Sequence, residues 1–152
     1  MCGDYIREKK GAVGLAGEKG ASLIWSKHRF GKSPIGLSIT FEFFTQDDAI
    51  RYVFADNDKQ KVFFVLEIKK NNNTFFYILK SADNQVIEQG TFMLAEKKYY
   101  TISLELENGK MRLKEGFLPL AEIALSTQAK EVRIGFQLEG DTSVYDAHIY
   151  QK

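Results

Sequence analysis

Residues 61–80 read KVFFVLEIKKNNNTFFYILK: two apolar runs, each carrying a Phe-Phe pair, joined by three asparagines. They read as a hairpin with strands over 62–69 and 74–80. Asn71-Asn72-Asn73 lies at the tip, because asparagine tolerates the positive φ that tight hairpins require. A strand lying on one core needs apolar side chains only at every second position. Here both alternating sets are apolar. Val62, Phe64, Leu66 and Ile68 form one set, with Phe63 and Val65 on the other. Across the tip, either Phe75/Tyr77/Leu79 or Phe76/Ile78 could face the core. Several aromatic side chains left bare together would expose on the order of a few hundred Å² of contiguous apolar surface, which soluble monomers rarely carry without a use. The second face is therefore expected to be covered, by a ligand groove, a subunit contact or a segment of the chain itself.

The pattern repeats outward from this hairpin. Residues 37–45 alternate, with Ile39, Phe41 and Phe43 on one face and Ser38, Thr40 and Glu42 on the other. Gln46-Asp47-Asp48 makes a turn, residues 50–54 return, and Asp56-Asn57-Asp58-Lys59 turns again. Strands follow over 86–93 and 98–107. Asn108-Gly109, the strongest hairpin dipeptide in the chain, leads into 110–114. Residues 120–125 read as one helical turn or a short crossover. Residues 131–139 alternate best of all, and a last strand covers 143–150. Upstream, 12–16 and 21–25 read as strands around a glycine-bearing turn. The three-residue spacing of Gly11, Gly14, Gly17 and Gly20 matches neither a phosphate-cradling loop nor a collagen array. No segment sustains a 3.6-residue period. Ten to twelve short strands with frequent turns predict an all-β protein, a two-sheet antiparallel β-sandwich or a barrel.

Composition agrees. The 152 residues contain 12 Phe and 7 Tyr against two Pro, and aromatic residues favour strands. Net charge is +1, from 21 basic and 20 acidic residues mixed along the chain. A nucleic-acid binder would present a basic stripe against phosphates, and none is visible. No apolar stretch approaches the ~18 residues needed to span a bilayer. The single cysteine, Cys2, excludes an internal disulfide framework and a cysteine-based zinc site. Met1-Cys2-Gly3-Asp4 is similar to the mature start of a bacterial lipoprotein. That implies an extracellular or cell-surface location with a lipid anchor on Cys2, although a chance cysteine near a terminus would read the same. Residues 1–10 are expected to be a flexible segment, and 11–152 a single jelly-roll domain.

The order of strands carries a family resemblance. Gly36-Leu-Ser-Ile-Thr-Phe-Glu-Phe-Phe-Thr45, a short turn and an aromatic return strand resemble the laminin G-like branch of the concanavalin A-like jelly rolls. So does the run from Lys98 through Asn108-Gly109 to Met111, which is similar to that family's hairpin of aromatic residue, strand, Asn-Gly and strand. Residues 17–25, GEKGASLIW, resemble its first core strand and 144–150 its closing strand. The resemblance covers most of the chain and implies one convex and one concave sheet. It also implies a concave face or rim loops that bind glycans or protein surfaces, and in some relatives a calcium ion at the rim.

That implication selects candidates. Trp25, Phe63, Phe76 and Tyr99 are the aromatic residues able to stack on a sugar face, each of them also a plausible packing residue. Asp56 and Asp58, with Asp47, Asp48 and Asn57, are the oxygen donors for calcium, the one cofactor considered, but turn chemistry accounts for the same residues without metal. Glu105 and Glu107 stand at i and i+2 on one strand face, the spacing at which a pair of carboxylates serves a retaining glycosidase. Yet Leu106 stands where the glucanase-like pattern E-x-D-x-E expects Asp, and parity places both glutamates outward. His148 shares a face with Asp146 and reads as a hydrogen-bonding pair. His28 sits in a basic loop. No nucleophile elbow is present. The function expected is a non-catalytic module that binds a glycan or protein surface. The alternatives are a glycoside hydrolase or lyase of the same fold and a structural, homo-oligomerising domain.

Overall fold

A computed structural model describes the backbone of residues 12–16, 23–25, 35–55, 62–107, 109–125 and 133–151. It describes the side chains of 35–55, 64–107, 109–125 and 134–150. Cys2, His28, Asp56, Asn57 and Asp58 lie outside the described residues, as does the expected flexible segment 1–10. Twelve strands run in order: β1 (Ala12–Ala16), β2 (Leu23–Trp25), β3 (Ile35–Glu42), β4 (Ala49–Ala55), β5 (Val62–Asn71) and β6 (Thr74–Ser81). They continue with β7 (Val86–Met93), β8 (Tyr100–Glu107), β9 (Lys110–Glu115), β10 (Leu118–Ala124), β11 (Arg133–Glu139) and β12 (Ser143–Gln151). They form two six-stranded antiparallel sheets, β1-β12-β3-β8-β9-β10 and β2-β11-β4-β5-β6-β7. This is the expected jelly-roll sandwich. No helix among the described residues is long and apolar enough to cross a membrane.

One alternate set from each central strand meets between the sheets. Ile35, Leu37, Ile39 and Phe41 of β3, with Tyr100, Ile102 and Leu104 of β8, face Ile50, Tyr52 and Phe54 of β4 and Phe64, Leu66 and Ile68 of β5. The Tyr52 hydroxyl crosses the layer to donate to the Ile102 carbonyl at 2.8 Å, so the buried phenol is satisfied. At one end the core becomes aromatic. Phe75 stacks on Phe92 at 5.1 Å between ring centroids and meets Tyr100 edge-on at 4.9 Å, while Phe41 lies 4.7 Å from Phe43.

The Phe-rich hairpin buries its inner face, while its outer face ranges from half-buried at Val65 and Ile78 to exposed at Phe76. Its tip is the two-residue turn Asn72-Asn73, with Asn72 at φ 55°. Asn71 therefore pairs with Thr74, Ile68 with Tyr77 and Leu66 with Leu79. That register sends Phe75, Tyr77 and Leu79 to the core and leaves Phe76 and Ile78 outside. On the outer face, Val53 and Ala55 are buried and Val65 packs against them as a second, smaller cluster. Beside it, Arg51 donates to Glu67 at 2.7 Å and also pairs with Glu139.

Residues 118–124 correct the sequence expectation. They are neither a helical turn nor a crossover but strand β10, paired antiparallel with β9. Pairing slips between Pro119 and Ala121. A bulge there shifts the inward parity in mid-strand, so the alternation that marks the other strands is lost.

Candidate ligand-binding cleft

Strands β3, β5, β7, β9 and β11 all run toward the same end of the sandwich, and their connections cluster there. Three of these connections, β3–β4, β5–β6 and β7–β8, enclose a cleft of about 540 Å³. The β3–β4 turn lines it with Phe43, Phe44, Thr45 and Gln46. The hairpin tip adds Asn72 and Asn73, the end of β5 adds Lys70, and the segment before β8 adds Glu96. The volume lies within the usual range of small-molecule sites, about 300–1,000 Å³.

Each wall is held from below. Asp48 is only 1% exposed. Its carboxylate accepts from the amides of Phe44, Thr45 (3.0 Å) and Asp141 (2.7 Å) and from the Thr45 hydroxyl (2.8 Å). Burial alone would raise its pKa, but those donors outweigh it and hold the carboxyl below the usual range. The partner segment needs Gly140, at φ +71°, since a side chain there would run into the Asp48 carboxylate. The Gln46 amide reaches Asn71 at 3.5 Å, linking the turn to the hairpin tip. The Lys97 amide donates to the Tyr100 hydroxyl oxygen at 3.1 Å, and the Lys97 ammonium pairs with Glu115 at 3.1 Å. By parity Lys70 continues the core-facing set of β5 past Ile68. Its ammonium stands 5.2 Å from the Tyr100 ring centroid and 5.9 Å from that of Phe75. Phe44, by contrast, is 56% exposed and presents its ring to solvent.

The residues singled out from sequence do not meet in one place. Phe76, 40% exposed, lies on the outer face of the β2-β11-β4-β5-β6-β7 sheet, between its register partners Lys69 and Thr91. Tyr99 stands at the opposite sheet, edge-on to Tyr145 at 4.7 Å. Trp25 pairs with Gly135, in the row that continues to Val53 and Val65, and its side chain, like that of Phe63, lies outside the described residues. For calcium, Asp48 does not fit: both its oxygens are taken by the loop. Among the described residues, no three acidic, histidine or cysteine side chains are grouped to hold a metal.

Glu105 and Glu107 do share the outer face of β8, but Glu105 is not a solvated strand carboxylate. It is 6% exposed, accepts from the Tyr150 hydroxyl at 2.6 Å and pairs with Lys114 at 2.8 Å. The Tyr150 ring crosses β3 directly over Gly36, which leaves it room. Burial first, then the Glu105 carboxylate, raises the Tyr150 phenol well above its ordinary value. Nearby, Tyr145 donates to Glu42, and that bond pushes its phenol up to about 12. Glu107 pairs with Arg112 at 3.1 Å, and Arg112 also holds Glu122 at 3.0 Å. Both glutamates are thus already engaged by neighbouring cations, Glu105 by Lys114 and Glu107 by Arg112. His148 pairs with Asp146 at 2.8 Å, as the strand spacing predicts.

Sequence reasoning missed Phe44, Gln46, Lys70 and Glu96. One signal was present: Phe44 breaks the alternation of β3, a second large aromatic where a polar residue is due.

No protein-family model and no curated protein matches the chain. Solved structures do. The carbohydrate-binding module CBM66 from Bacillus subtilis is similar with TM-score 0.65 and 14% identity, over 98% of each chain. A galectin from Caenorhabditis elegans has TM-score 0.63 and 13% identity, over 91% of this chain and 96% of its own. A β-glucanase from Bacillus licheniformis has TM-score 0.62 and 7% identity, over 93% of this chain and 78% of its own. The fold is a concanavalin A-like jelly roll. At these identities the likeness is one of fold, and placement in the laminin G-like branch rests on the sequence pattern alone.

Proposed function

We propose that this chain is a non-catalytic carbohydrate-binding module whose saccharide sits in the rim cleft. One observation carries the reading: the exposed Phe44 lines a cleft of about 540 Å³ together with the amide residues Gln46, Asn72 and Asn73. An aromatic face shields the C–H side of a sugar, and neutral amides both donate to and accept from its hydroxyls. Similarity to a galectin and to a carbohydrate-binding module supports it. The β-glucanase likeness raises hydrolysis as the alternative, but that chemistry calls for a pair of carboxylates flanking the bond. Glu96 is the only carboxylate in the described lining.

Glycan-array screening followed by calorimetry tests the proposal. Wild-type protein is expected to bind at least one oligosaccharide without cleaving it. Phe44→Ala is expected to weaken binding by about tenfold, the value of one lost stacking contact, with an unchanged melting temperature. Binding undiminished in Phe44→Ala, or reducing ends released from the bound sugar, would count against it.

A further inference from the structure

We infer that the cleft selects an acidic saccharide, one whose carboxylate or sulfate is met by Lys70; this deepens the glycan-binding reading and rests on it. Lys70 occupies the last core-facing position of β5, where the sandwich opens into the cleft. Its aliphatic stem runs out of the core while the ammonium stays at the rim, half-buried, beside the Tyr100 and Phe75 rings. Several cations on the sandwich are matched with carboxylates: Arg51 with Glu67, Lys97 with Glu115, Arg112 with Glu107 and Lys114 with Glu105. Lys70, like Lys98 over the Tyr99 ring, instead lies over aromatic faces. Lys70 makes no ion pair among the described residues, and its ammonium lies near the two ring faces. The two ring faces attract the ammonium, but they leave its charge without a carboxylate partner among the described residues. Lys70 lines the cleft together with Gln46, Asn72 and Asn73, whose amides suit hydroxyls. Glu96, on the facing segment, supplies the opposing sign. The lining therefore distinguishes one end of a charged sugar from the other.

Calorimetry on the full chain would use four probes: trigalacturonate, its neutral methyl ester, a sulfated trisaccharide and a short oligoglutamate peptide. Trigalacturonate or the sulfated sugar is expected to bind about tenfold or more tighter than the ester, the value of a charge-assisted hydrogen bond. The stronger of the two identifies the anionic group. Lys70→Met, which keeps the apolar stem, is expected to abolish that preference, so that acids and ester bind alike, and Lys70→Arg to retain it. Glu96→Gln is expected to strengthen acid binding about two- to threefold relative to the ester. A lysine serving only the fold would give none of these charge-specific differences. Equal affinity for acids and ester, or a preference that survives Lys70→Met, would overturn the inference while leaving glycan binding intact. Tighter binding of oligoglutamate than of any saccharide would overturn it in favour of an acidic peptide. No binding by any of the three saccharides, with the array also blank, would remove the glycan reading and this inference together.

Discussion

Replacing Asp48 tests how the cleft is built. Its carboxylate accepts four hydrogen bonds, three from backbone amides and one from a hydroxyl, at a position 1% exposed. Hydrogen bonds to a charged group are worth about 1.5–3 kcal/mol each, but water enters and the loop relaxes once the clamp is lost, so they do not add. Asp48→Ala should therefore cost about 3–5 kcal/mol, since it leaves several part-buried donors unsatisfied at about 1–3 kcal/mol each, with less than full additivity. In a chain of this length that lowers the melting temperature by roughly 6–20 °C. Asp48→Asn should cost less but not nothing, since its NH2 group would face backbone donors. The sign with pH is also set. The folded-state pKa is depressed, so the stabilisation is complete above the unfolded value near pH 4 and is lost as pH falls through the folded value below it. Thermal melts of wild type and both variants, at neutral pH and in steps down the acid range, provide the measurement. A melting temperature for Asp48→Ala within about 2 °C of wild type would refute the reasoning. So would an acid limb equally steep in all three proteins.

Two further outcomes are expected. Tyr52→Phe removes the hydroxyl that crosses the core to the Ile102 carbonyl and should destabilise the fold by about 1–3 kcal/mol in chemical denaturation, chiefly by leaving that acceptor without its partner. Tyr150 and Tyr145 keep their protons more firmly when folded than unfolded, so the stability they confer is intact below about pH 10 and declines as pH climbs from there. Tyr150→Phe should flatten that alkaline decline, read by denaturant midpoint against pH. Gly36→Ala, whose methyl would push the Tyr150 ring off Glu105, should flatten it too.

Much of the sandwich was legible because alternation survives wherever a strand has one wet face. Strand β3 and strand β11 each declare their inner set at every second residue. β10 did not, because the slip at Pro119 to Ala121 changes which parity points inward, and a pattern that switches phase within seven residues no longer looks periodic. The hairpin's core face stood open for the opposite reason: both sets of β6 are apolar. It is settled by the turn. A two-residue tip at Asn72-Asn73 ties Ile68 to Tyr77, and the inward set of β5 then dictates that of β6. The information was in the asparagines rather than in the phenylalanines.

The cleft was illegible for a topological reason. Its walls come from residues 43–46, 70–73 and 96, and beyond the second aromatic at Phe44 and the inward phase of Lys70 nothing local in the three marks a site. They converge because β3–β4 and β7–β8 each cross from one sheet to the other at the end where the β5–β6 hairpin turns. The aromatic residues chosen from sequence were chosen for chemistry alone, and the sheets carried Phe76 and Tyr99 to opposite faces. Lys70 shows what would have helped. A lysine that continues the core-facing parity of a buried strand, one step beyond Ile68, has its stem committed to the interior and its charge to whatever lies at the open end. A polar residue that keeps the inward phase of an apolar strand locates a mouth of the sandwich, and the loops that flank it are where a ligand would be held.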